Sequence, residues 1–186
     1  MQRTERHHAA RRLGLIALLA LGLSACFISR GDLITPAEAD YPLPHGTQIA
    51  IYSLDENGAR RNQAPDLATL VREGDYYQLT MEGEPPVTGL IDHMGGDLYI
   101  AMARDDEQPG QNLYALFVRD GSVWHRHGLI CSDFEEIAAA QGKTLDEFGI
   151  KEAGGDCLFD KYDDLKRAMQ FESQHGAPDA DYVVVE

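Results

Sequence analysis

The chain has 186 residues, with 31 acidic side chains against 16 basic ones and a formal net charge of −15. That length fits one ordinary domain with short appendages and is enough to bury a core. The acidity argues against a nucleic-acid partner, because phosphates select basic faces.

Residues 1–12 form a basic leader, with Arg3, Arg6, Arg11 and Arg12 against Glu5. Residues 13–25 (LGLIALLALGLSA) are thirteen apolar or small residues without a charge. As a helix they span roughly 20 Å, short of the ~30 Å hydrocarbon core of a bilayer. A basic start, a short apolar run and small residues at its end describe a secretion signal rather than a transmembrane helix.

The run ends in Leu23-Ser24-Ala25-Cys26, which resembles the lipobox of bacterial lipoproteins. The resemblance covers residues 1–26. It implies that residues 1–25 are a signal peptide, with Leu23, Ser24 and Ala25 read by the signal peptidase. Cys26 then becomes the first mature residue, carrying a thioether-linked diacylglycerol and an amide-linked third acyl chain. The partner so implied is the lipid bilayer. Phe27 stands where an inner-membrane retention aspartate would, so the expected location is the cell envelope, in the outer membrane facing the periplasm. The leader carries +3, which leaves −18 on residues 26–186, so acyl chains rather than charge must hold the protein to anionic lipid. An acidity of this size serves solvation and also suits a basic protein partner.

With Cys26 assigned to lipid, Cys131 and Cys157 remain. An even pair in an exported chain reads as a disulfide. Residues 26–46 hold three prolines and no apolar period. They read as a lipidated cysteine followed by a flexible tether, which when extended would hold the domain up to ~60 Å from the bilayer. Residues 47–186 read as a single globular α+β domain.

Within it, Ile49–Leu54 is a predicted strand followed by an Asn57-Gly58 turn. Pro65-Asp66 then opens a predicted short helix on the spacing of Leu67, Leu70 and Val71, stopped by Gly74. Strands are expected at 76–82, 87–94, 98–103, 112–119 and 122–129, separated by Pro-Pro, Gly-Gly-Asp, Pro-Gly and Asp-Gly turn signals. Turns at this spacing mean antiparallel pairing. The expected fold is an α+β meander of five to six strands, curled towards a half-barrel, followed by a disulfide-stapled helical C-terminal part. Ser132–Glu135 and Thr144–Glu147 each read as a capping box, and Asp160 as the cap of a helix through Gln170. The tail Tyr182–Val185 is an apolar β-type run suited to an edge strand.

His125 and His127 lie two apart on a strand and so share one face. That suits a Zn²⁺ or Cu²⁺ site if His93 and Asp92 on a neighbouring strand complete it. No H-E-x-x-H accompanies them. Asp105-Asp106-Glu107 lacks the spacing of a calcium loop and reads as a solvated hairpin tip. No nucleophile elbow, P-loop or dinucleotide fingerprint occurs. The expectation is therefore a membrane-anchored envelope lipoprotein with a non-enzymatic binding or structural domain and no cofactor. The alternatives are an acidic binder of a basic protein such as a lysozyme, and a metal-dependent hydrolase using His125 and His127.

Overall fold

A computed structural model of the chain describes residues 26–105 and 108–185. The lipobox residues Leu23, Ser24 and Ala25 lie outside the described residues, as do Asp106 and Glu107 of the acidic loop. The described residues form eleven strands, β1 (Phe27–Arg30), β2 (Thr47–Ser53), β3 (Asp66–Glu73), β4 (Tyr76–Met81), β5 (Val87–Gly95), β6 (Leu98–Arg104), β7 (Gln111–Asp120), β8 (Val123–His127), β9 (Lys151–Ala153), β10 (Asp156–Phe159) and β11 (Ala180–Val185). Among the described residues two α-helices, α1 (Cys131–Ala140) and α2 (Tyr162–His175), and a 3₁₀ turn at Leu145–Phe148 complete them.

Strands β2 to β8 pair antiparallel in sequence order, and β11 pairs with both β8 and β2. The result is a closed eight-stranded barrel, which corrects the expected open meander. The correction has two local causes. Asp66–Glu73 is not a helix: it is β3, paired along its length with β2 and β4. Its Ala68 and Leu70 are buried while Leu67 is 69% exposed, a two-residue alternation that the i, i+3, i+4 spacing concealed. Gly74, expected to stop the helix, sits at φ 59 in the β3–β4 hairpin turn. The tail is not an edge strand either, because β11 closes the ring.

Two features of β5 help the sheet curl. Gly89 faces the barrel interior where a Cβ would run into the Met102 carbonyl oxygen of β6, so only glycine permits that close approach. The β5–β6 register also shifts between His93 and Gly95, and a bulge there adds local twist.

Three strands lie outside the ring. β1 pairs antiparallel with the start of β7 and parallel with β10, which pairs with β9. The segment expected as a flexible tether is therefore packed from its first residues. Phe27 is wholly buried against Phe134 and Phe159, and Ile34 is 1% exposed. The outer face of β5, β6 and β7 lies beneath these strands and the helices, joining Leu90, Ile100 and Leu116 to Phe134, Leu165 and Met169 in the larger core. A smaller cluster of Ile49, Ala68, Leu70 and Tyr77 lies inside the barrel.

Cys131 at the start of α1 is bonded to Cys157 of β10, the disulfide pair expected from the sequence. The first capping box is not made: Ile130 is the N-cap, and Ser132 lies inside the helix with its hydroxyl on Asp133. At Thr144 the reciprocal capping box is present. Lys161, not Asp160, caps α2, and Asp160 instead pairs with Lys151.

Candidate ligand cavity

The barrel interior is incompletely filled. The face turned inward holds small residues on one wall, Gly89 of β5 with Ala101 and Ala103 of β6. Larger residues from β2, β3, β4, β7 and β11 face them, among them Ile49, Leu70, Leu79, Phe117 and Tyr182. The mismatch leaves a cavity of about 130 Å³. An apolar cavity of about 150 Å³ stays dry and admits benzene, so the space is large enough for a hydrocarbon group.

One end of the barrel carries the turns after β3, β5 and β7. The segment before β2 folds across it, where Tyr77 donates its hydroxyl to the Leu43 carbonyl at 2.6 Å and accepts from the Leu43 amide at 3.1 Å. Burial pushes the Tyr77 hydroxyl above its ordinary pKa, so it stays neutral. The Tyr41 ring packs on Tyr77, and the Arg72 guanidinium lies 3.4 Å over Tyr41. Beside them His93 stacks on Tyr99, Tyr99 packs on Trp124, and Arg119 lies over the Trp124 ring. Aromatic rings backed by cations make this floor. Towards the opposite end, Val87 lines the cavity and is 40% exposed, which places it at the mouth. The β4–β5 ladder has only three pairs, ending at Leu79 and Val87, so the wall parts there.

None of the cavity-lining residues carries a carboxylate, imidazole, thiol or amine. The Tyr182 hydroxyl accepts from Arg126 Nη1 at 3.4 Å. The polar side-chain atoms of the lining are thus the Tyr77 and Tyr182 hydroxyls, both hydrogen-bonded, and the Trp124 indole N–H.

The residues singled out as metal ligands do not converge. His125 and His127 share the outer face of β8, yet each meets a different carboxylate. His125 Nδ1 is 2.7 Å from Asp181 Oδ1, and Asp181 also pairs with Arg60 at 2.8 Å. His127 is buried, with Nδ1 3.7 Å from Glu172 Oε1 of α2 and no hydrogen-bond partner. His93 lies on the inner face of β5, its Nε2 on the Gly96 carbonyl at 2.8 Å. Asp92 accepts a hydrogen bond from Tyr162. Among the described residues no group of three or more His, Cys, Asp or Glu converges to hold a metal ion, which weighs against the metal-hydrolase alternative.

Cys26 stands immediately before β1 and is held by its backbone. Its amide donates to Asp156 Oδ1 at 2.9 Å, and its carbonyl accepts from the Cys157 amide at 3.1 Å. It also bridges Ile130. Burial, with Asp156 next in weight, pushes the Cys26 thiol up, which keeps it protonated at neutral pH.

The sequence reasoning missed the cavity. A usable trace existed in β6, where Leu98-Tyr99-Ile100-Ala101-Met102-Ala103 is apolar at every position. Such a strand is covered on both faces, and its alternate alanines mark the thin side. Set against family models, curated proteins and solved structures, the chain matches none.

Proposed function

We propose that this protein is an envelope lipoprotein, acylated on Cys26, whose barrel is a non-enzymatic binding module that holds a small molecule in its interior. The observation that carries the binding half is the cavity itself, an under-filled apolar barrel whose walls carry no carboxylate, imidazole, thiol or amine. An eight-stranded barrel is of the size that either fills with its own side chains or holds one small ligand. Here the small wall at Gly89, Ala101 and Ala103 tips it towards the second.

The anchoring half is supported by Leu23-Ser24-Ala25-Cys26 following a short apolar run and a basic leader. Cleavage before Cys26 leaves β1 whole, so processing costs the folded part nothing. Two or more acyl chains give stable attachment where one gives only marginal binding.

The test of the anchor is fractionation of cells producing the full chain and its Cys26→Ser form. The native protein should sediment with membranes and incorporate labelled palmitate; the Cys26→Ser form should do neither, while keeping the same circular dichroism. A native chain that stays soluble and unlabelled would overturn the anchor.

A further inference from the structure

We infer that the ligand is a single unbranched hydrocarbon tail, inserted tail-first through the mouth at Val87, with its polar head left in water. This rests on the reading of the barrel as a binding module and specifies the occupant of the same cavity.

Three features of the cavity select that chemistry. First, its lining is aliphatic or aromatic throughout, and the hydroxyls of Tyr77 and Tyr182 are already engaged with Leu43 and Arg126. Apart from the Trp124 indole N–H, the lining side chains offer no further polar atom, so a polar group brought inside would lose more hydrogen bonds to water than it regains, which is unfavourable. Second, no unpaired cation borders the space. Arg72 and Arg119 stack on Tyr41 and Trp124 at the floor. Arg126, opposite Phe117 on the inner face of β8 and bonded to the Tyr182 hydroxyl, is held by both Asp179 carboxylate oxygens, so a carboxylate or phosphate meets only a guanidinium already neutralised by its own partner. Third, the segment before β2 crosses one end of the barrel, bonded through Leu43 to Tyr77, whereas Val87 is exposed towards the other. Val87 and Ile91, both in its lining, lie four residues apart on β5, roughly 13 Å of strand. An apolar space lined along this length of strand, with chain laid across one end and an exposed residue at the other, suits a tail whose far end remains outside.

The tail binds by removing methylene groups from water at ~0.8 kcal/mol each, equivalent to about a fourfold change in Kd. The affinity of a homologous series should therefore climb by about fourfold per methylene until the slot is full, and then level off. Head charge should matter little.

The test uses the full Cys26→Ser chain without detergent. It is titrated with straight-chain carboxylates and the corresponding alcohols of increasing length, and separately with benzene and naphthalene. Trp124 is the only tryptophan in the chain and lines the cavity, so its emission reports occupancy, with calorimetry as a second readout. Support would be length-dependent binding that plateaus, equal Kd values for acid and alcohol of one length, and loss of both in Ala101→Phe. Ala103→Leu, a smaller filler, serves if Ala101→Phe fails to fold. Aromatic binding without chain-length dependence would overturn the tail and leave the binding module standing. A fold that binds neither class would overturn both.

Discussion

Tyr114 shows how one side chain couples β1 to the barrel. Ser29 donates to the Gly31 carbonyl at 2.6 Å, Tyr114 donates to Ser29 Oγ at 2.7 Å, and the Leu33 amide approaches the Tyr114 hydroxyl at 3.4 Å. The phenol is 5% exposed, and burial pushes its pKa up to about 12. An unfolded tyrosine ionises near pH ~10. Between those values the folded chain keeps a proton that the unfolded chain has lost. The contribution is therefore complete below pH ~10 and falls as pH rises through about 12, by roughly 2–3 kcal/mol in all. Urea midpoints measured on both sides of this window should drop with rising pH, and Tyr114→Phe should flatten part of the drop. Its cost at neutral pH should be about 1 kcal/mol for the lost hydrogen bond. An unchanged alkaline slope in Tyr114→Phe would show that the phenol is not the group responsible.

At the scale of elements, closure of the ring depends on β3, β5 and β11. Gly89→Ala puts a methyl group into the Met102 carbonyl oxygen. Because the obstacle is backbone, relief requires β5 and β6 to move apart, at a cost of about 2–3 kcal/mol. A thermal midpoint for Gly89→Ala equal to that of the native chain would mean that the two strands are not so close. The same elements show what the sequence could and could not disclose. The hairpins at Gly74, Gly96 and Gly121 bring glycine to positive φ, and those after β5 and β7 were legible because turn chemistry is local. β3 was misread because Leu67, Leu70 and Val71 satisfy the helical period while Ala68 and Leu70 satisfy the strand period. The choice was made by pairing with β2 and β4, a tertiary effect that outweighs local propensity. The place of β11 between β2 and β8 joins residues more than a hundred apart in sequence and left no local mark. The cavity was hidden for the same reason: a wall of alanines becomes a void only once the opposite wall is known.

The whole molecule has two cores of unequal quality. Outside the ring, Phe27, Phe134, Phe148, Phe159 and Phe171 interlock edge-to-face or tilted between the helices and β1. Five of the six phenylalanines of the chain thus stabilise the scaffold, and the barrel can leave its own interior under-filled. The Cys131–Cys157 bond pins this outer core with a sequence separation of 26. On the chain-entropy model its loss should destabilise the protein by about 3.5 kcal/mol. Denaturation with and without reductant measures the difference, and coincident curves would mean that the bond contributes nothing. Cys26 belongs to the same outer assembly, since its backbone is bonded to Asp156 and Cys157. With acyl chains on that residue, as proposed, there is no leash. The domain would be clamped to the membrane by a rigid joint. Its freedom would shrink to gliding in the plane and spinning about the normal, and everything it meets must come within roughly one protein diameter, about 40 Å, of the lipid.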